Sequence, residues 1–555
     1  MTFNEIPYKR IELEDMKKEM AALKERFRAA VCGEEQFKVH QDLYLLKDHI
    51  MTERTLSEIR NSVNTKDEFY DAEETYYNAF DPEFAMELKE YGELMLESPY
   101  RDYLEEKIGK LAFVNLELDK KAFSEETKEL KKEENELQMA YDKLIASASI
   151  PFEGEVYNLS LLRPHLTDVS REHRRSAWKA MEGYFSSVTP KIDDIYDRMV
   201  KNRTEQARMM GYEDYRELGY YRMRRNSYDR DMVAKFREAV KKYFVPLSVK
   251  IHEERRERIG VPELKIYDND VFFKDGNPKP FNDPVKILKA GAQMYKELSP
   301  ETGEFFDFMM KNELFDVLGR KDKKAGGYMT YLPDYKYPFI FANFNGTSSD
   351  VDVITHECGH AFQGYITRNE EIREANDLTM ETAEIHSMSM EYFTYGWMDR
   401  FFGDEAAAYL KMHLEDSIIF LPYGCMVDEF QHIIYEKPDM TPKQRKNVWL
   451  ELEEVYRPWL KYDGEGFFSE GGFWQKQGHI FHSPFYYIDY VLASACAMQF
   501  KIRMDKDFEG AWKDYMKLAA LSVKKPYEEE LKECGLKSPF DEDCIKWIAE
   551  SIYGR

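Results

Sequence analysis

Two histidines lie four residues apart in the segment ITHECGHAFQ, at residues 354–363. On a helix, residues at this spacing share one face, so His356 and His360 can direct their imidazole nitrogens at one point. Zinc accepts neutral imidazole nitrogen, and a catalytic zinc site combines three protein ligands with water. Glu357 follows the first histidine and is suited to hold a water molecule and take its proton. The spacing therefore predicts a catalytic metal site, with Gly359 leaving room for close packing.

The alternative is a surface helix that happens to carry two histidines, because an HExxH pattern fixes only three positions. The neighbouring residues predict a buried helix instead. The apolar residues that flank the polar ones are Val351, Val353, Ile354, Ala361 and Phe362. Buried imidazole and carboxylate groups are costly without partners, and a metal ion would satisfy them. Cys358 is expected to be inert packing in the same helix.

A third ligand is expected on the next predicted helix, DLTMETAEIHSMSMEYFTYGW, at residues 377–397. Its acidic candidates are Asp377, Glu381, Glu384 and Glu391. The last three share a helical stripe that is otherwise apolar and is expected to point inward. We favour Glu384 as the ligand, with Glu381 as the alternative. Glu391 is expected to hydrogen-bond a ligating histidine, and His386 to be a core histidine. Two imidazoles and a carboxylate favour one Zn²⁺ per chain, although Co²⁺ or Mn²⁺ also suit these donors.

Amphipathic patterns predict that helices dominate the chain and position these side chains. The main helical segments are 14–31, 125–147, 169–185 and 375–435. Three patches predict short strands, at 148–162, 265–281 and 325–350, and the last of them contains a strand at 338–344. Ser349 or Asp350 is expected to cap the histidine helix. The glycine-rich segment 464–478 is predicted to be either a long irregular connection or a mobile flap.

Charge and composition exclude several classes of protein. The 555 residues include 79 Lys and Arg against 104 Asp and Glu, a net charge of −25. A field of this sign repels nucleic acid and anionic membranes, so neither is an expected partner. The six cysteines show no CxxC spacing, and neither a signal peptide nor a run of ~18 apolar residues is visible. We therefore expect a cytoplasmic protein. A monomer or a small homo-oligomer is expected, although these features do not distinguish the two.

Three segments together resemble the thimet oligopeptidase family of zinc peptidases, and most closely its oligoendopeptidase F branch, which includes the Pz-peptidases. These segments are FANFNGTSSDVDVITHECGHAFQ at 341–363, ETAEIHSMSME at 381–391 and HIFHSPFYYIDYVLASA at 479–495. The resemblance extends from about residue 150 to the C-terminal end of the sequence. In that family the third ligand is a glutamate followed by another glutamate seven residues later, a pairing that Glu384 and Glu391 match.

The resemblance also implies a histidine and two tyrosines four residues apart after a glycine-rich loop. Tyr486 and Tyr490 match the tyrosine pair and His479 matches the histidine best, with His482 and Tyr487 as close competitors. Hydroxyl and imidazole donors of this kind suit the oxyanion that forms when water attacks a peptide carbonyl. Tyr487 is otherwise expected to line the substrate site or to belong to an aromatic core.

The family fold implies a mainly α protein in which two helical lobes enclose a deep substrate cleft, with a small β-sheet beside the HExxH helix. We expect an N-terminal lobe that covers the cleft at 1–195 and a catalytic zinc-peptidase domain at 196–555. The strand at 338–344 is expected at an edge of the sheet, where it could pair with an extended peptide. Asn343 and Gly346 are candidates for lining that site, or else turn residues.

The residues and the resemblance together predict a zinc metalloendopeptidase. The resemblance further implies that it hydrolyses internal bonds of short peptides, since folded proteins could not enter such a cleft. Glu357 is the predicted general base, and Tyr490 with Tyr486 or His479 is predicted to hold the oxyanion. Two alternatives stay open. One is a helical metallocarboxypeptidase or dipeptidyl carboxypeptidase, and the other is an inactive peptide-binding scaffold, against which the intact Glu357 argues.

Overall fold

The computed structural model describes residues 1–281, 283–324, 326–521 and 525–553. The fold is mainly α, as predicted. The α-helices are α1 (Leu13–Ala29), α2 (Gly33–Val63), α3 (Glu68–Leu96), α4 (Arg101–Ile108), α5 (Lys110–Ala122), α6 (Lys128–Ala146), α7 (Leu159–Leu166), α8 (Arg171–Met209), α9 (Tyr215–Arg222), α10 (Arg230–Ile259), α11 (Pro284–Leu298), α12 (Pro300–Lys311), α13 (Ser349–Thr367), α14 (Met380–Phe393), α15 (Asp399–Phe402), α16 (Ala406–Glu436), α17 (Pro442–Tyr456), α18 (Gly478–His482), α19 (Tyr487–Met504), α20 (Phe508–Leu521), α21 (Tyr527–Glu533) and α22 (Glu542–Ile552).

Within the described ranges, five short strands accompany these helices: β1 (Ile150–Phe152), β2 (Glu155–Tyr157), β3 (Phe315–Leu318), β4 (Tyr328–Leu332) and β5 (Tyr337–Phe344). The chain divides into two compact units. The first comprises Met1–Lys120, Lys279–Ala406 and Arg503–Leu536, and the second comprises Lys121–Pro278, Ala407–Ile502 and Lys537–Arg555. Each unit draws on three stretches of the chain, and the division into 1–195 and 196–555 stays a prediction.

The first unit contains a three-stranded sheet in the order β3-β5-β4. Strand β3 runs parallel to β5, with Phe315 opposite Ile340, and β4 runs antiparallel to β5. The strand predicted at 338–344 is confirmed as β5, but its expected position at an edge of the sheet is wrong. It lies in the centre because Ile340 donates its N–H to the carbonyl of Leu314 at 3.0 Å, which brings β3 alongside. The edge strands of this sheet are therefore β3 and β4.

Helix α13 follows β5 and is buried along one face. Val351, Ile354, Ala361 and Phe362 are each 0% exposed, which confirms the predicted burial of the helix at these positions, whereas Val353 is only partly buried. Burial of large aliphatic and aromatic side chains contributes roughly 1.5–3 kcal/mol each. The buried hydroxyl of Tyr295, on α11, also donates to the carbonyl of Ile354 at 3.1 Å. These contacts give α13 a fixed orientation within the first unit.

The second unit contains the long helices α8, α10 and α16 and the predicted hairpin, in which β1 pairs antiparallel with β2. The strand predicted at 265–281 is wrong. Ile266–Asp268 forms a 3₁₀ turn. Asp268 is fully buried there and accepts hydrogen bonds from Arg171 at 2.7 Å and Arg174 at 2.6 Å. These two arginines of α8 fix the segment, so a long-range ion pair overrides its local strand propensity.

The glycine-rich segment 464–478 is more ordered than an irregular loop. It contains a π-helical turn at Phe468–Gly472 and a 3₁₀ turn at Phe473–Lys476, and Trp474 is 0% exposed. Gly471 has a φ of +85°, and a Cβ there would lie 2.2 Å from the carbonyl oxygen of Lys446. Packing therefore requires glycine at this position, and a flap role for the segment stays a prediction.

Among the described residues, no helix combines the length and the apolar character that crossing a bilayer requires.

Candidate metal centre

Helices α13 and α14 pack closely enough that only glycine fits at their contact. A Cβ atom on Gly359 would lie 2.6 Å from the Cα of Ser387 and 2.7 Å from the carbonyl oxygen of His386. Protein atoms in contact are normally separated by about 3.5–4.0 Å. The absence of a side chain at Gly359 therefore lets α14 approach the turn of α13 that carries the two histidines, as the sequence indicated.

Three predicted ligands converge at this crossing. The ligand atoms of His356, His360 and Glu384 all lie within 4.8 Å of one another. Both histidine Nε2 atoms approach the same carboxylate oxygen, Oε2 of Glu384, at 3.4 Å and 3.5 Å. The alternative ligand, Glu381, is buried on the preceding turn and does not belong to this group.

The spacing of these donor atoms fits a zinc ion. Zinc binds imidazole nitrogen and carboxylate oxygen at about 2.0–2.2 Å, so two ligand atoms of a tetrahedral site are about 3.3 Å apart. The observed separations of 3.4 Å and 3.5 Å are close to that value. Two imidazoles and one carboxylate also form a donor set that leaves a fourth position for water or substrate.

Two carboxylates define the electrostatics of the site. Burial disfavours the charged form of Glu384, but the neighbouring imidazoles of His356 and His360 outweigh it and hold the pKa of Glu384 well below its ordinary value. Glu391 Oε1 lies 2.6 Å from Nδ1 of His356. An outer carboxylate at this nitrogen fixes the ring orientation and leaves Nε2 free to bind a metal.

Other side chains around the ligands have structural roles. Ser387 donates its hydroxyl to Oε2 of Glu384 at 3.0 Å, a contact that sequence reasoning missed because serine is common in helices. His386 is 0% exposed, and burial with the nearby His360 lowers its pKa to about 3, as befits the predicted core histidine. Burial raises the pKa of the Cys358 thiol, which agrees with inert packing.

A side chain in the first turn of α13 stabilises the connection between β5 and α13. The helix begins at Ser349 with Ser348 as its N-cap residue, so the expected cap by Ser349 or Asp350 is wrong. The Asp350 carboxylate instead accepts the backbone N–H groups of Asn345 at 2.9 Å and Gly346 at 2.8 Å. The side-chain amide of Asn343 donates to the carbonyls of Lys324 and Gly326. Roles of Asn343 and Gly346 in substrate binding stay predictions.

In the second unit, the predicted oxyanion donors form one aromatic cluster. The ring of His479 lies 5.8 Å from that of Tyr486, 5.0 Å from that of Tyr487 and 5.8 Å from that of Tyr490, measured between centroids. Tyr486 and Tyr490 are 4.9 Å apart on the same measure. All four residues are partly exposed. Hydroxyl and imidazole donors are therefore gathered on one patch.

The two competing histidines differ in their surroundings. His482 Nε2 lies 2.8 Å from Asp142 of α6, whereas His479 contacts the tyrosine cluster. Gln477 links His479 to a further tyrosine, because its amide lies 2.8 Å from His479 Nδ1 and accepts the hydroxyl of Tyr423 at 2.8 Å. Gln477 stands in the glycine-rich segment, but no local signal marked it as a partner of His479.

Comparison with known proteins gives the family. The sequence-family model of the peptidase M3 N-terminal domain matches residues 3–123, and the sequence-family model of peptidase family M3 matches residues 165–285 and 301–543. The chain belongs to peptidase family M3. The group B oligopeptidase PepB of Streptococcus agalactiae is 21% identical over 333 residues, which cover 59% of this chain and 54% of that protein. The chain thus spans about half the length of the curated relatives that it matches.

Two solved structures are similar over nearly the whole chain. One is a candidate oligoendopeptidase F, 43% identical, with a TM-score of 0.96 and coverage of 100% of this chain and 98% of that one. The other is Pz peptidase A with an inhibitor, 43% identical, with a TM-score of 0.95 and coverage of 99% and 98%. These matches confirm the resemblance to the oligoendopeptidase F branch that the three sequence segments indicated.

Proposed function

We propose that the chain is a zinc-dependent oligoendopeptidase that hydrolyses internal bonds of short peptides. The observation that supports this most directly is the approach of Nε2 of His356 and of His360 to one oxygen of Glu384, at 3.4 Å and 3.5 Å. Membership of peptidase family M3 supports a peptidase, and the similarity to oligoendopeptidases supports internal cleavage.

His356, His360 and Glu384 would hold the metal. Zinc, when bound there, polarises the peptide carbonyl and promotes ionisation of the attacking water. Glu357 accepts the proton of that water as the new C–O bond forms, and delivers it to the leaving nitrogen as the C–N bond breaks. Glu391 accepts the N–H at Nδ1 of His356 throughout, so the histidine keeps one tautomer.

The donors to the developing oxyanion in this proposal are side chains of the aromatic cluster around His479. We assign Tyr490, together with Tyr486 or His479, to this role. Loss of one such donor typically lowers kcat by about 10²–10³. The contact of His482 with Asp142 makes His479 the better candidate of the two histidines.

The substrate is an extended oligopeptide that pairs with an edge of the sheet in the first unit. We assign this role to β4 rather than β3, because the ring of Tyr331 in β4 lies beside Gly364, one turn beyond His360 on α13. Main-chain hydrogen bonds to an edge strand give affinity with little dependence on peptide sequence. The size limit on the peptide and a cytoplasmic location stay predictions.

The test combines metal analysis with Glu357→Gln. The purified protein is expected to carry one zinc per chain and to cleave a quenched peptide until a chelator is added. Glu357→Gln should keep the zinc and lose at least about 10²-fold in kcat, because the general base is gone. Glu371→Gln removes an exposed carboxylate in the connection between α13 and α14 and is the matched control.

Product analysis separates the proposal from its alternatives. An internal cut in a peptide blocked at both ends excludes a carboxypeptidase or a dipeptidyl carboxypeptidase, since both need a free C-terminus. A zinc-loaded protein that binds such peptides without cleaving any of them would refute the proposed activity and favour a binding scaffold.

A further inference from the structure

The turn that precedes the tyrosine pair has an unusual backbone. Phe485 joins α18 to α19 and has a φ of +67°. Bulky non-glycine side chains rarely adopt this left-handed region, and such residues persist where the surrounding structure holds them. Tyr486 is the next residue, and Tyr490 lies in the first turn of α19. The backbone conformation of Phe485 therefore sets the direction in which the chain enters α19, the helix at whose start Tyr486 and Tyr490 lie.

Buried contacts hold Phe485 in this conformation. Its ring is 0% exposed and covers Gly219 of α9 so closely that a Cβ there would lie 2.6 Å from the ring. Its N–H donates to Oε1 of Gln431, on α16, at 3.1 Å, and its carbonyl accepts Nη2 of Arg225 at 2.7 Å. Three different parts of the second unit thus fix one residue of the turn.

Arg225 also reaches the other end of the tyrosine pair. Its guanidinium forms a buried ion pair with Asp489, whose side chain is 0% exposed, and donates to the hydroxyl of Tyr228. Tyr228 lies 3.4 Å from the same Asp489 oxygen. Residue 485 precedes Tyr486 and residue 489 precedes Tyr490, so one planar guanidinium holds the residue before each tyrosine. A fork of this kind fixes two acceptors at a set separation, which a lysine ammonium cannot do.

We propose that Arg225, acting through the carbonyl of Phe485 and the carboxylate of Asp489, is the positioning residue that sets the relative placement of the Tyr486 and Tyr490 hydroxyls for oxyanion binding. Arg225 is buried and touches no substrate in this scheme, so it acts only through the tyrosines. The inference rests on the proposed function, because the tyrosine pair matters only if an oxyanion forms.

The first test is Arg225→Lys, which keeps the positive charge and loses the fork. We expect kcat to fall by about 10-fold or more, since misplacement by about 1 Å can cost 10²-fold. The peptide KM should stay within about threefold and the zinc content should not change. A phosphinic peptide, whose anionic tetrahedral group imitates the oxyanion, should lose affinity by the same factor as kcat/KM.

The matched control is Arg174→Lys, because Arg174 also forms a buried ion pair in the second unit, with Asp268 at 2.6 Å. It should lower stability without changing kcat by more than about twofold. If Arg225→Lys unfolds the protein, Gln431→Ala tests the same link, since it removes the acceptor for the N–H of Phe485 together with a hydrogen bond to Val427 within the same helix. A kcat reduction of about threefold or more, with KM and zinc content unchanged, is then expected.

A double-mutant cycle separates positioning from a general loss of structure. In the Tyr486→Phe/Tyr490→Phe background, Arg225→Lys or Gln431→Ala should cost less than about threefold in kcat, because the hydroxyls that they position are gone. An undiminished effect in that background, or a wild-type kcat in both single variants, would overturn the inference while leaving the peptidase intact. A zinc-loaded wild-type protein that cleaves no peptide would instead overturn the proposed function and this inference together.

Discussion

The crossing of α13 and α14 makes Gly359→Ala the most informative perturbation of the metal centre. The added methyl group would lie 2.6 Å from the Cα of Ser387 and 2.7 Å from the carbonyl oxygen of His386. Both are backbone atoms, so no side-chain rotation can relieve the contact. Ordinary contact begins near 3.4 Å, so α14 would have to retreat by about 0.8 Å in a tightly packed interior.

The displacement of α14 would also move Glu384, the candidate metal ligand on that helix. Glu384 lies one turn before Ser387 on the same helix, and its Oε2 is 3.4 Å and 3.5 Å from the two histidine nitrogens. These separations are now close to the roughly 3.3 Å of a tetrahedral zinc site, and a shift of about 0.8 Å would take them well outside that range. We expect zinc affinity to fall by about 10–100-fold and kcat by about 10²-fold. Overpacking should also lower the free energy of unfolding by about 1–3 kcal/mol.

Gly364→Ala is the matched control on the same helix. A Cβ there would lie 3.6 Å and 3.7 Å from ring atoms of Tyr331, which is ordinary contact. Replacing an interior helical glycine by alanine is expected to stabilise the protein by about 0.5–1 kcal/mol. The two variants make the same chemical change in one helix, so their difference isolates the crossing with α14.

The assays are zinc competition against a chelator, kcat on a quenched peptide and thermal denaturation of both variants. If Gly359→Ala bound zinc and turned over peptide as Gly364→Ala does, the close approach of the two helices could not be what places Glu384.

Three further predictions concern other carboxylates. Glu391→Gln should weaken zinc binding by about 10–100-fold, measured by chelator competition, because an amide holds His356 Nδ1 less firmly than a carboxylate. Asp350→Asn should lower the denaturant midpoint by the equivalent of about 1–3 kcal/mol, since one amide oxygen cannot accept both N–H groups that the carboxylate accepts. For Asp268, burial opposes the charge, but hydrogen bonds from Arg171 and Arg174 hold its pKa below the ordinary value. Its contribution is therefore present at neutral pH and is lost as pH falls through the folded-state pKa, below about pH 4. Urea unfolding should show Asp268→Asn to be less stable by about 3 kcal/mol at pH 7, with a difference that shrinks steadily as the pH is lowered through the folded-state pKa of Asp268.

Local spacing was sufficient to predict the three residues of the candidate metal centre. The four-residue interval of His356 and His360 places them on one helical face, and the acidic stripe of α14 contains the carboxylate that the structure brings to them. The close packing at Gly359 could be predicted for a similar reason, since a residue between two ligands on one helix lies close to the helix that packs beside them. Each of these inferences depends on helix geometry alone.

Long-range pairing accounts for what sequence reasoning missed. The central position of β5 depends on β3, a four-residue strand whose local pattern gave no signal. The expected strand at 265–281 does not form because Arg171 and Arg174 donate hydrogen bonds to the Asp268 carboxylate. These arginines lie almost a hundred residues earlier in the chain. Arg225 is a similar case, because its partners Phe485 and Asp489 are 260 and 264 residues away.

In the proposed mechanism, metal binding and turnover are separable quantities because they depend on different side chains. The candidate ligands and Glu357 belong to the first unit, whereas the aromatic cluster and Arg225 belong to the second. Zinc affinity should therefore respond to substitutions such as Gly359→Ala and stay unchanged in Arg225→Lys, although both lower kcat. The reason is physical, since metal affinity depends on donor atoms about 2 Å from the ion, and oxyanion binding on hydroxyls that never bind it. If Arg225→Lys lowered zinc affinity as strongly as Gly359→Ala does, the ligand set and the tyrosine turn would be coupled, and Arg225 would act on the metal as well as on the tyrosines.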